Sequence, residues 1–89
     1  MTNRTKITIA VAAQRTGLSP RTVRRYIRRG LIGETLTEDE LFVLRRIRRL
    51  TDLGVNLGGV EVILHMRRQI EALQAELASI PVNEFSLNL

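Results

Sequence analysis

Gly17-Leu18-Ser19-Pro20-Arg21-Thr22-Val23-Arg24-Arg25-Tyr26 is the stretch that decides the fold of this chain. Gly17 permits a positive φ, so the backbone can reverse there, and Leu18 is an apolar residue for the turn to tuck inward. Ser19 carries a helix N-cap side chain, and Pro20 takes the first helical position, where its missing N–H costs nothing. A helix therefore starts at Pro20, and Gly30 ends it. Upstream, Thr8 can cap a short helix that runs to Arg15 or Thr16 with Ile9, Ala12 and Ala13 facing inward. Two short helices joined by a glycine turn form a helix-turn-helix pattern. Turns alone are a weak signal for it.

The composition of the second helix is a stronger one. At about 100° per residue, Val23, Tyr26 and Ile27 fall on one side, and Arg21, Arg24, Arg25, Arg28 and Arg29 on the other. The helix itself carries no acid. Like charges one turn apart repel and weaken an isolated helix, a conflict that a polyanion would relieve. A merely solvated face is better served by mixed signs.

Eighty-nine residues allow one domain with short extensions. A chain of this size buries roughly 60% of its unfolded surface, so its own core is thin. Aromatics are limited to Tyr26, Phe42 and Phe85, and the apolar content is otherwise of the aliphatic kind that fills helix interfaces. A second copy could supply missing core. With no cysteine and a single histidine, His65, neither disulfides nor thiolate metal sites can form, and most zinc-type clusters are excluded. No cofactor and no metal are expected. The sequence has no apolar run of about 18 residues, and its N-terminus lacks the apolar core of a secretory signal. The expectation is a cytoplasmic, nucleoid-associated protein without membrane contact. The net charge of +5 is unevenly spread: residues 1–49 carry twelve basic and four acidic side chains, residues 50–89 two and five. One half suits a polyanion and the other suits assembly.

After Leu31-Ile32 the chain returns to the core, and Gly33-Glu34-Thr35 makes a short turn. Thr37 and Glu40 have the spacing of a capping box, with Leu36 and Leu41 as its hydrophobic staple. The helix they open runs to about Leu53, and Gly54 stops it. Leu41, Leu44, Ile47 and Leu50 form its apolar stripe, broadened by Phe42, Val43 and Leu53. Arg45, Arg46, Arg48 and Arg49 ring the remaining face, either to reach phosphates or to solvate the helix. Asn56 begins the last helix, in which Val60 and Leu64 face the chain's own core. Ile63, Met66, Ile70, Leu73, Leu77 and Ile80 follow one another at steps of three and four, the pattern of a coiled-coil seam. Less than three heptads would hardly pair alone, so the seam is read as a dimerisation helix backed by the rest of the domain. An intramolecular core helix is the competing explanation. Pro81 ends it. The apolar tail, with Val82, Phe85, Leu87 and Leu89, would fold back onto the dimer, offer a docking peptide to a chaperone or other protein, or stay disordered. The organisation expected is a DNA-binding helix-turn-helix domain at 1–56, a dimerisation helix at 57–80 and a short tail at 81–89.

The stretch from Gly17 to Tyr26, followed by Arg29-Gly30-Leu31-Ile32, resembles the MerR family of bacterial regulators. Leu44-Arg45-Arg46-Ile47 and Leu53-Gly54-Val55-Asn56-Leu57 resemble that family's helix after the wing and its following turn. The run Gly54 to Val60, ahead of Ile63-Leu64, looks most like the heat-shock repressor (HspR) branch. The resemblance covers about residues 7–80. The helices read above make the fold all-α with a helix-turn-helix of MerR type, and the resemblance implies a homodimer joined by an antiparallel coiled coil, and binding to double-stranded DNA at an inverted-repeat operator to control transcription. By position, Thr22, Arg24 and Tyr26 match family residues that contact DNA. Tyr26 can equally be a core aromatic whose hydroxyl reaches a phosphate. One departure is large: only Gly33, Glu34, Thr35 and Leu36 separate Ile32 from the next helix cap, too few for the family's two-stranded wing. The wing's phosphate contacts cannot be carried over, and affinity per subunit should fall.

A dimeric regulator, a repressor, is thus the leading expectation. A wingless fold of this kind also resembles the chaperone modulator CbpM, a protein-interaction adaptor, and an architectural or excisionase-like DNA-bending role is a third reading. Catalysis is not expected. There is no glycine-rich phosphate loop and no nucleophile–base pair, and Glu38, Asp39 and Glu40 sit where a helix N-terminus favours acids.

Overall fold

In the computed structural model, which describes residues 5–81, the chain forms four helices: α1 (Ile9–Thr16), α2 (Pro20–Arg28), α3 (Glu38–Asp52) and α4 (Leu57–Ser79). No strand forms among the described residues. Three of the four helix starts are capped by the side chain that their sequence supplies. Thr8 accepts from the Val11 N–H at 3.2 Å, Ser19 from Thr22 at 3.0 Å and Asn56 from Gly59 at 2.8 Å. Each cap satisfies one of the N–H groups that a helix leaves unpaired at its start.

The fourth start differs from its sequence signature. Thr37 is the N-cap of α3 but makes no side-chain capping bond. Glu40, the other half of the expected box, accepts from the Gly33 N–H at 3.1 Å. Its carboxylate is drawn to the unpaired backbone of the turn before the helix, so the reciprocal box does not form. The staple residues Leu36 and Leu41 are both buried in the core as expected.

Leu41, Leu44 and Ile47 are wholly buried and make α3 the spine of the core. Ala12 and Ala13 from α1, Val23 and Tyr26 from α2, Leu31, Ile32 and Leu36 from the connecting segment, and Val60 and Leu64 from α4 complete it. Small side chains on α1 let it pack against both α2 and α3. Burying an aliphatic side chain of this size contributes about 1.5–3 kcal/mol, and α3 and the segment before it supply three such side chains each.

α4 belongs to this core only through its first two turns. Beyond Leu64 every described residue is exposed, and the helix continues as an arm that stretches the molecule to 54 × 32 × 19 Å. No helix among the described residues is long and apolar enough to cross a membrane. The tail at 82–89 and its expected docking role lie outside the described residues.

Candidate nucleic-acid interface

The turn before α2 is built to hold that helix at a set angle. Gly17 adopts φ +75° and donates its N–H to the Ala13 carbonyl, closing α1. Arg48 reaches across from α3 and donates to the Thr16 carbonyl at 2.7 Å. A Cβ on residue 17 would lie 1.6 Å from the Arg48 Nη1. Glycine is required for its backbone angle, and a Cβ there would also push the flexible Arg48 guanidinium off the Thr16 carbonyl. Arg48 also lies 3.7 Å from Asp52. Its side chain is still 46% exposed, so Arg48 lies on the solvated face of α3 and braces the turn as well.

On α2, Val23 is fully buried, Tyr26 is 5% exposed and Ile27 is half-buried. Arg21, Arg24, Arg25 and Arg28 all point outward, and none of the four is ion-paired among the described residues. Arg29 departs from the expected free row. It sits at the edge of the cationic face, and Glu61 of α4 takes it with hydrogen bonds of 2.9 Å from Nε and 2.6 Å from Nη2. The acid that the helix lacks in its own sequence comes from a residue 32 positions away.

Thr22 is half-buried at the start of α2, its hydroxyl 2.8 Å from the Ser19 hydroxyl. The Tyr26 ring is a core aromatic. Among the described residues no buried side-chain polar atom lacks a partner and none bonds the Tyr26 hydroxyl, so the tip of the ring meets the surface. On α3, Arg45 and Arg46 are half-buried and Arg49 is exposed.

A second brace joins α1 to α3. Arg15 grips both oxygens of Glu38, at 2.6 and 2.9 Å, tying α1 to the start of α3. The Arg15 hydrogen bonds hold the Glu38 carboxyl below its ordinary value of 4.5, and the same contact raises the Arg15 guanidinium further above its already high ordinary value. Neither this pair, nor Arg48–Thr16, nor Arg29–Glu61 has a signature in local spacing, and sequence reasoning missed all three.

On the arm, Ile63, Met66, Ile70, Leu73, Leu77 and Ile80 are between 36 and 58% exposed. Phe42 and Leu53 of the α3 region also lie open, at 66 and 80%. His65 is exposed.

A cationic helix presented by a glycine turn, with a bare helical arm beside it, defines a helix-turn-helix protein. Residues 8–37 match the model described as MerR family regulatory protein, and the chain belongs to the MerR family, with the wing cut down to the turn between Ile32 and Leu36. Within that family it is HspR-like. It is 36% identical over 81 residues to a Streptomyces coelicolor protein provisionally described as heat shock protein HspR. The match takes in 81% of this chain and 54% of the relative, so the chain spans about half that relative's length. No solved structure matches it.

Proposed function

We propose that this chain is a homodimeric regulator of transcription that binds double-stranded DNA at an inverted repeat and acts as a repressor. The row Arg21, Arg24, Arg25 and Arg28 carries the proposal, because it is exposed, unpaired among the described residues and mounted on a helix whose other side is locked in the core. A helix with its side chains is about 10–12 Å across, and the DNA major groove is about 12 Å wide. Arg21 and Arg25 are assigned to guanine edges, where a bidentate contact is worth about 1–3 kcal/mol of discrimination. Arg24 and Arg28 are assigned to phosphates, which position the protein without reading sequence. The Tyr26 hydroxyl and Thr22 stand next to the same face.

The arm supports the dimer. Its steps of three, four, three, four and three read the same from either end, so two copies laid antiparallel place Ile63 opposite Ile80, Met66 opposite Leu77 and Ile70 opposite Leu73. Each pairing is apolar on both sides. A twofold-related pair of α2 helices then demands a twofold-related DNA site. Repression rests on the resemblance to the heat-shock-repressor branch.

Selection of bound sequences from random duplexes tests the whole proposal, followed by titration of the recovered site at several salt concentrations. A palindromic consensus is expected. If the dimer neutralises about 6–10 phosphates, log K should fall with log salt at a slope of roughly −5 to −9. A folded sample that shifts no duplex in dilute buffer, but co-purifies with a chaperone, would favour the adaptor instead. Cooperative coating without a consensus would favour the architectural role.

A further inference from the structure

The acid that reaches the cationic helix comes from the core-packed start of α4, the helix whose outer part forms the arm. Glu61 lies in the second turn of α4, and its Oε1 receives both the Nε and the Nη2 of Arg29. Among the described residues no other acid is ion-paired to an arginine of this face. The contact bypasses the packing order, in which α2 lies on α1, α1 on α3 and α3 on α4. It joins the C-cap of α2 directly to the seam helix.

Two features of the pair bear on DNA. The Nε–Nη2 edge is the fork with which a guanidinium grips a phosphate, and here a carboxylate oxygen fills it. The two side chains are 40 and 41% exposed, so the pair is solvated, contributes little to folding and opens easily. Arg29 follows Arg25 by one helical turn and would fall in line with the other cations if released.

We propose that Glu61 is a built-in stand-in for phosphate: it occupies Arg29 and so limits the sequence-independent part of DNA binding. The proposal rests on the DNA-binding reading above. A duplex that offers only backbone charge must displace the carboxylate to gain a fifth arginine per protomer, and the displaced carboxylate is then left beside the phosphates. Affinity for any duplex grows with the number of phosphates neutralised. Glu61 holds that number down while leaving Arg21 and Arg25 free.

The test is binding of a random-sequence duplex across a salt series by the wild type, Glu61→Gln, Arg29→Ala and the double variant. Glu61→Gln should tighten binding about two- to five-fold per protomer, the span that an exposed ion pair commands. It should also steepen the salt slope by about 0.9 per protomer, one recruited phosphate each. In the Arg29→Ala background the same change at 61 should leave the slope alone. Glu61→Ala should match Glu61→Gln in slope, which separates loss of charge from any local disturbance. An unchanged slope in Glu61→Gln, or equal steepening with and without Arg29, overturns the role of Glu61 while DNA binding stands. A wild type that ignores the duplex at low salt overturns the DNA-binding reading and this inference together.

Discussion

α2 and the outer part of α4 are both helices with one side bare, yet the two bare sides are opposite in kind. α2 leaves in water four arginines that have no acidic partner among the described residues, and buries Val23 and Tyr26 behind them. α4 leaves Met66, Ile70, Leu73 and Leu77 more than half exposed and buries nothing beyond Leu64. Water tolerates the first arrangement at the cost of mutual repulsion, which an anion removes. It does not favour the second, because an apolar stripe gains about 25 cal/mol for each Å² that it hides. A crowded charged face thus speaks for a ligand, and a bare apolar stripe for assembly.

A charge placed in the stripe should break the comparison most completely. Leu73→Lys removes two leucines from an antiparallel pair of arms and sets an ammonium group against each partner arm. The loss should be about 3–6 kcal/mol of dimer stability, seen in sedimentation as monomers that retain their helical circular dichroism. A variant that stays dimeric would rule the seam out as the interface.

On the cationic side, Arg25→Ala should cost about 1–3 kcal/mol on the selected site and far less on random DNA. Arg24→Ala should weaken both alike and make the salt slope shallower by about 0.9 per protomer. Titrations on the two duplexes separate these outcomes. Equal losses from both substitutions would leave no base readout on this helix.

The turn between the helices sharpens the contrast, because it serves the first region alone. Gly17→Ala forces a left-handed residue to carry a Cβ, about 1–2 kcal/mol, and displaces Arg48 from the Thr16 carbonyl. Thermal unfolding should drop accordingly, while a dimer held by the arm persists wherever the chain is folded. No change in melting would mean that the turn relaxes freely around the new side chain.

The smallest effect belongs to Glu38. Its folded carboxyl titrates below the ordinary 4.5 because Arg15 donates to it. The contact therefore adds stability at pH above the unfolded value, and loses it as the pH falls from about 4.5 through the folded value. Glu38→Gln should flatten this part of the acid-denaturation curve slightly, with neutral-pH binding of DNA unaffected. An acid limb identical to the wild type would show that the pair contributes nothing, as exposed pairs often do.

Much of this molecule could be read from spacing. Thr8, Ser19 and Asn56 cap helices because an oxygen at the cap lies within reach of an N–H three residues on, a relation internal to one turn. The sidedness of α2 and the burial of Val60 and Leu64 follow likewise from the helical period. Thr37 and Glu40 had the right spacing too, yet Glu40 turned back to Gly33. Spacing states which bonds are within reach; neighbours supplied by the fold choose among them.

The amino-acid order alone determined the four helices, the glycine turn, the arginine row and the apolar seam, since each depends on residues only a few positions apart. Tertiary structure alone decided that Arg48 braces the turn, that Arg15 grips Glu38 and that Arg29 is held by Glu61. Those partners lie 32, 23 and 32 residues apart. No local periodicity encodes such pairs, because they exist only once packing on α3 has brought separate helices side by side.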